Sequence, residues 1–204
     1  MSEPSIAIAL NISQYFREVI DDVFRARQVD ATQEAAIYLV NLLCSFAHPT
    51  EEAGANFDRP LTFVLSDARA AVGTERFRKL RGLGDHTLYA VGFFGGHIEQ
   101  KGVDTSYVST VGATAYREAA AMLRTKAPQS EDRGLNVLSE LAAKFRRFAE
   151  VFRDVSEGTL ACGARDERSL VKLYERWLKT GSSRIAEELG ARGIVPSRGA
   201  GGVN

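Results

Sequence analysis

Between Asp132 and Glu157 the apolar residues Leu138, Leu141, Phe145, Phe148, Phe152 and Val155 recur every three or four positions. Only a helix puts such a series on one side, so this spacing dictates a helix whose apolar stripe must be buried against other elements. The intervening Lys144, Arg146, Arg147, Glu150 and Arg153 suit water or a partner. A chain organised around this segment is expected to be an all-α, single-domain helical bundle.

The other segments fit that expectation. From Ile12 to Arg27, Phe16, Val19, Ile20, Val23 and Phe24 share one face. Asp30 with Gln33 resembles a capping box, and AAIYLVNLLCSFA then runs apolar nearly all round to Pro49, which predicts a central, buried helix. Pro60 to Val72 reads as a helix ending at Gly73, with LTFVLS as a strand alternative, and Thr74 opens a short helix that Gly82 and Gly84 terminate. Beyond a loop with Gly158 and Gly163, Asp166 caps a helix with the stripe Leu170, Leu173, Tyr174, Trp177 and Leu178, stopped by Gly181. A last short helix spans Ser183 to Leu189. The count is about seven or eight helices in one domain, 1–195, followed by a flexible tail, 196–204, too poor in apolar residues to order itself.

Seven of the eighteen glycines fall within RGLGDHTLYAVGFFGGHIEQKGVDTSYVSTVGATAYREA, Arg81 to Ala119. Read as helices, a segment that Asp85 caps and that runs to Gln100, and one from Asp104 or Thr105 to Arg124, form a central Gly-rich hairpin, with Gly102 in its turn. A glycine inside a helix costs about 0.5–1 kcal/mol relative to alanine, and close packing is the compensation that fits. Gly92 and Gly96 share a face, and Ser109, Gly112, Ala113 and Ala115 supply a small-residue surface for it. HTLYAVGFF read as a strand with a glycine bulge is the alternative.

Catalytic, metal and phosphate readings fail on geometry. His86 and His97 would face the same way along a helix but stand about 16 Å apart. His97 and Glu99 point to nearly opposite sides, and His48 has no partnered motif, so no metal and no cofactor is expected. GFFGGH and GLGDH match neither a P-loop nor a dinucleotide fingerprint. Arg76, Arg78, Lys79 and Arg81 in RFRKLRG could contact an anion, but helical spacing spreads them over several faces, which reads as a solvated surface with Asp85 as a local partner for one arginine. Cys44 and Cys162 lack ligand spacing and read as reduced thiols; no histidine stands near Cys162 to make it a nucleophile. SSRIAEELGARGIVP looks like the first half of a helix-turn-helix, but Pro196 and a glycine-rich tail replace the recognition helix.

Lys+Arg and Asp+Glu balance at 26 each, so no net field attracts nucleic acid or anionic lipid. With neither a signal segment nor an apolar run long enough to span a bilayer, the expected location is cytoplasmic. The run Arg81, Leu83, Gly84, Asp85, then Gly92, Phe93, Phe94, then Tyr107, then Gly112, Ala115, Tyr116 resembles a group of all-helical bacterial proteins without an assigned activity. The resemblance covers about a fifth of the chain and implies a bacterial, intracellular origin. Two functions remain. One is a helical interaction or regulatory protein, homo-oligomeric or bound to another protein. The alternative is a small-molecule binder or enzyme with a pocket beside the hairpin, lined by Tyr89, Phe93, His97, Tyr107 and Tyr116. A filled core with exposed apolar residues favours the first; a buried pocket with convergent polar groups favours the second.

Overall fold

The computed structural model describes residues 3–47, 59–126, 133–163, 171, 173–175, 177–178, 181–191 and 193–194. Every element among them is an α-helix: α1 Glu3–Arg27, α2 Gln33–Ala47, α3 Leu61–Ala70, α4 Gly73–Gln100, α5 Thr105–Lys126, α6 Arg133–Ala143, α7 Phe145–Gly163 and α8 Ser183–Ala191, with the described residues between 171 and 178 helical as well. The all-α expectation holds. LTFVLS and HTLYAVGFF, both open to a strand reading, lie in α3 and α4. Contacts divide the chain into two compact units, Met1–Phe152 and Arg153–Asn204. The expected tail 196–204 and the Asp166 cap lie outside the described residues.

In the first unit α5 packs on α4 and α6, α1 on α2, and α3 on both hairpin helices. Ile20, Val23, Leu39, Leu43, Leu80, Leu88, Tyr116, Leu141, Phe148 and Phe152 form its fully buried core. The stripe that opened the sequence reading is buried from Leu138 to Val155, but its helix is interrupted. At Lys144, between α6 and α7, the side chain donates to the Asp30 carbonyl (2.7 Å) and Glu140 Oε1 (3.0 Å). Glu140 in turn accepts from the Thr32 backbone N–H (3.1 Å) and hydroxyl (2.5 Å). These bonds hold the Glu140 carboxyl below its ordinary range against the opposing effect of burial.

Four local readings need correction. Thr32, not Asp30, caps α2, its hydroxyl accepting from the Ala35 N–H at 3.2 Å. That helix buries one face only: Leu39, Val40, Leu42 and Leu43 are inside, while Ile37 is 44% exposed. Gly82 and Gly84 do not break the chain into two helices. The buried series Leu80, Leu83, Thr87, Leu88 and Val91 continues through them, and continuous burial outweighs a glycine's modest propensity cost. Gly73, at φ +59°, opens α4 instead of closing α3. The hairpin turn is as read: Gly102 takes φ +76°, Val103 N–H bonds the Ile98 carbonyl (3.2 Å), and Asp104 caps α5 through the Ser106 N–H (2.7 Å).

In the second unit Leu173, Trp177, Ile185 and Leu189 make a small core. Gly181, at φ +66°, ends the preceding turn with its N–H on the Trp177 carbonyl (2.7 Å). The Ser182 hydroxyl donates to the buried Glu157 at 2.6 Å.

Candidate functional site

Two arrangements on α4 hold the chemistry of the Gly-rich stretch, one on the face toward α5 and one on the face away from it. On the inner face Asp85 is 9% exposed, at the centre of a polar knot. Its Oδ1 accepts from the Tyr38 hydroxyl of α2 (2.6 Å) and from the Tyr116 hydroxyl of α5 (2.7 Å). Arg81 donates from Nε to the Tyr38 oxygen (3.1 Å) and stands 3.5 Å from Asp85 Oδ2. Arg81, Tyr38 and Asp85 thus form a relay in which every proton runs toward a carboxylate able only to accept. Burial pushes the Asp85 pKa up, opposed by the Tyr38 and Tyr116 hydrogen bonds and then by Arg81. Burial raises both tyrosines, with the nearby Asp85 adding to the effect. At Arg81 burial pulls down, but the charge partners Tyr38 and Asp85 outweigh it and the net shift is upward.

The knot exists because two glycines let the helices close. A Cβ on Gly84 would meet the Tyr116 ring at 2.6 Å, and one on Gly112 would strike the Thr87 hydroxyl and Phe145. Gly84 therefore gives Tyr116 the room to lie across α4 and reach Asp85. Gly92 also packs closely, but against α7: a Cβ there would overlap that of Phe152 and come within 3.2 Å of the Ala149 carbonyl. The expected pairing of Gly92 and Gly96 on α5 is thus corrected. Among the described residues nothing lies within 4 Å of where the Gly96 Cβ would be, and the same holds for Gly82.

The outer face carries an aromatic array. Phe46 of α2 stacks on Tyr89 with centroids 4.1 Å apart and planes 7° from parallel, and Tyr89 stacks on Phe93 at 4.5 Å. His86 meets Phe46 edge-on at 5.3 Å while its Nδ1 contacts the Gly82 carbonyl at 2.6 Å. Phe94, 51% exposed, adds a fifth ring 5.8 Å from Tyr89. Its backbone (φ −122°, ψ 16°) departs from helical geometry, a kink placed just before Gly95 and Gly96.

Of the five residues proposed to line a pocket, the structure brings together Tyr89 and Phe93 only. Tyr116 lies fully buried on the opposite face, His97 is exposed, and Tyr107 is 38% exposed on α5 without a ring contact among the described residues. The four proposed anion contacts separate as well. Lys79 pairs with Glu75 (2.9 Å), Arg76 lies 3.9 Å from the Glu118 that holds Arg69, Arg81 faces Asp85 as anticipated, and Arg78 is exposed. Phe46, His86 and Phe94 of the array, and Tyr38 and Asp85 of the knot, were missed as site residues. The signal for the knot was an aspartate between Leu83 and Leu88 on an apolar face, read as a helix cap when its position called for buried partners. Among the described residues no three His, Cys, Asp or Glu side chains gather as a metal site, and no helix is long and apolar enough to cross a membrane. Neither protein-family models nor curated proteins nor solved structures match the chain. The resemblance from Arg81 to Tyr116 therefore rests on those residues alone.

Proposed function

We propose that this chain is a helical interaction protein that associates with a second copy of itself through the outer face of α4. The observation that carries this reading is the order of residues there. Gly82, His86, Tyr89, Phe93 and Gly96 follow one another by steps of four and three, the spacing of a coiled-coil seam, with small residues at both ends and rings in the middle. The stripe is nearly symmetrical about Tyr89: Gly82 and Gly96 stand seven residues before and after it, and Lys79 and Glu99 ten.

A two-fold axis through Tyr89 would bring an antiparallel second α4 into register, each Gly82 opposite a Gly96 and each Lys79 opposite a Glu99. An isologous contact requires such self-complementarity, and a chain of zero net charge meets no global repulsion in forming it. Gly82 and Gly96 carry the helix cost of glycine with no described residue within 4 Å of the missing Cβ to offset it, and close approach of a second backbone is the compensation this arrangement supplies. The alternative pocket beside the hairpin is the less favoured reading, because Tyr89 and Phe93 stack on each other while Tyr116 is buried on the opposite face and His97 and Tyr107 are exposed.

The test is a charge swap read by sedimentation equilibrium. The unmodified protein is expected to be dimeric at micromolar concentration, Lys79→Glu to weaken association at least about tenfold, and the double variant Lys79→Glu with Glu99→Lys to restore it. A monomer at all concentrations, or a Lys79→Glu protein that associates unchanged, overturns the reading.

A further inference from the structure

A groove of about 310 Å³ runs between α1 and the first half of α2, away from the hairpin, and belongs to neither arrangement on α4. That volume lies at the lower end of the range used for small ligands. Its walls are mixed. Arg17 and Asp21 enter from α1, one helical turn apart, and Asn41 from α2; Phe24, Ile37 and Val40 supply an apolar surface between them. Most charged side chains of α4 and of the Thr32–Lys144 junction answer an opposite charge, but neither Arg17 nor Asp21 has an ion pair or hydrogen bond with a described residue. They do not pair with each other, although side chains four apart on a helix are within reach; with the cation nearer the N-terminus the order is the less favourable one.

We propose that this groove binds a small zwitterion of the amino-acid type, its carboxylate on the Arg17 guanidinium and its ammonium between Asp21 and the Phe24 ring. Each wall residue has a role in that chemistry. A guanidinium holds a carboxylate through two parallel N–H donors, and a carboxylate with an adjacent aromatic face holds an ammonium by charge and by cation–π attraction. Ile37 and Val40 take the methylenes, and the Asn41 amide can orient the carboxylate. One turn of helix separates the two charged residues by about 6 Å at Cβ, which selects a ligand whose own charges are separated by a short methylene chain over one carrying both on a single carbon. Half-open walls limit the affinity, so binding is expected in the millimolar to high-micromolar range. The site is independent of self-association, since no groove residue lies on α4.

The probe is γ-aminobutyrate, compared with butyrate and butylammonium, which each carry one of its charges on a similar chain. Isothermal titration and amide chemical shifts are expected to show γ-aminobutyrate binding at least about tenfold more tightly than either, with shifts centred on Phe24, Ile37 and Asn41. Arg17→Gln should reduce it to the level of butylammonium, and Asp21→Asn to the level of butyrate. Both substitutions are at exposed positions, and an unchanged circular dichroism spectrum confirms that each variant is folded. Equal binding of the three compounds, shifts located elsewhere, binding indifferent to both substitutions, or no binding at all overturns the proposal.

Discussion

The two faces of α4 use glycine in opposite ways. Toward α5 and α7, Gly84 and Gly92 stand where the atoms of Tyr116, Phe152 and Ala149 occupy the space a side chain would take. On the other side no described residue lies within 4 Å of where a Cβ on Gly82 or Gly96 would stand. The backbone is helical at all four and the residue is the same, so the difference lies entirely in what faces each missing Cβ. A glycine in a helix interior is explained only when its neighbour is named, and the two classes give mutational effects of opposite sign.

The largest effect is expected on the inner face. In Gly92→Leu the new Cβ meets the Phe152 Cβ and the Ala149 carbonyl, neither of which is the end of a flexible side chain, so α4 and α7 must separate. Overpacking of this kind costs about 1–3 kcal/mol and occasionally more, and Gly92→Leu should lie at or above the upper figure. Gly112→Ala, against the Thr87 hydroxyl and the Phe145 ring, should cost about 1–3 kcal/mol. Urea unfolding checks both. A Gly92→Leu midpoint equal to that of the unmodified protein would remove the distinction between the faces.

The polar knot sharpens the same comparison with a smaller effect. Tyr116→Phe keeps the ring that Gly84 accommodates and removes only the hydroxyl bonded to Asp85. A hydrogen bond to a charged group contributes about 1.5–3 kcal/mol, and a loss of that size is expected. The pH dependence follows from Asp85. Burial, the largest influence on it, raises its folded pKa above the unfolded value, so the folded state holds the proton more tightly. Stability contributed by this group is greatest below the ordinary aspartate value of 3.8 and declines as pH rises through the folded pKa. Asp85→Asn should flatten that part of the stability–pH curve while retaining an oxygen to accept from both tyrosines. An unaltered curve would mean that Asp85 does not titrate differently in the two states.

The helices were legible because their signals are local. Leu138 to Val155 shows its face by spacing alone, and Gly102 with Asp104 marks the hairpin turn by residue types with few other uses. The glycine contacts were not legible, since they depend on which helix lies opposite. Gly92 meets α7, some sixty residues later in the chain, and nothing in the spacing of Gly92 and Gly96 distinguishes a buried glycine from an exposed one. The site readings failed for a related reason. Tyr89, Phe93, Tyr107 and Tyr116 were grouped by nearness in sequence, whereas burial turns Tyr116 inward to Asp85 and leaves Tyr89 to stack on Phe46, a residue of another helix. Asp85 reads as a cap because an aspartate beside a glycine fits a helix start equally well, and only the unbroken run from Leu80 to Val91 decides against it.

The smallest expected effect on stability is also the most discriminating. At Gly96 a leucine enters open space, and its better helix propensity should raise the stability of the isolated chain by several tenths of a kcal/mol, up to about 1. Self-association should respond in the other direction, because the added side chain would stand where Gly82 of a second copy is proposed to approach. Dimer formation itself raises a melting temperature by mass action, so the two consequences must be measured apart: melts under dilute, monomeric conditions for stability, sedimentation for association. A higher dilute midpoint together with association weakened about tenfold separates an outward glycine kept bare for a partner from one that is merely solvated. A lowered dilute midpoint would mean that something within the chain already covers Gly96, and the contrast between the two faces of α4 would no longer hold.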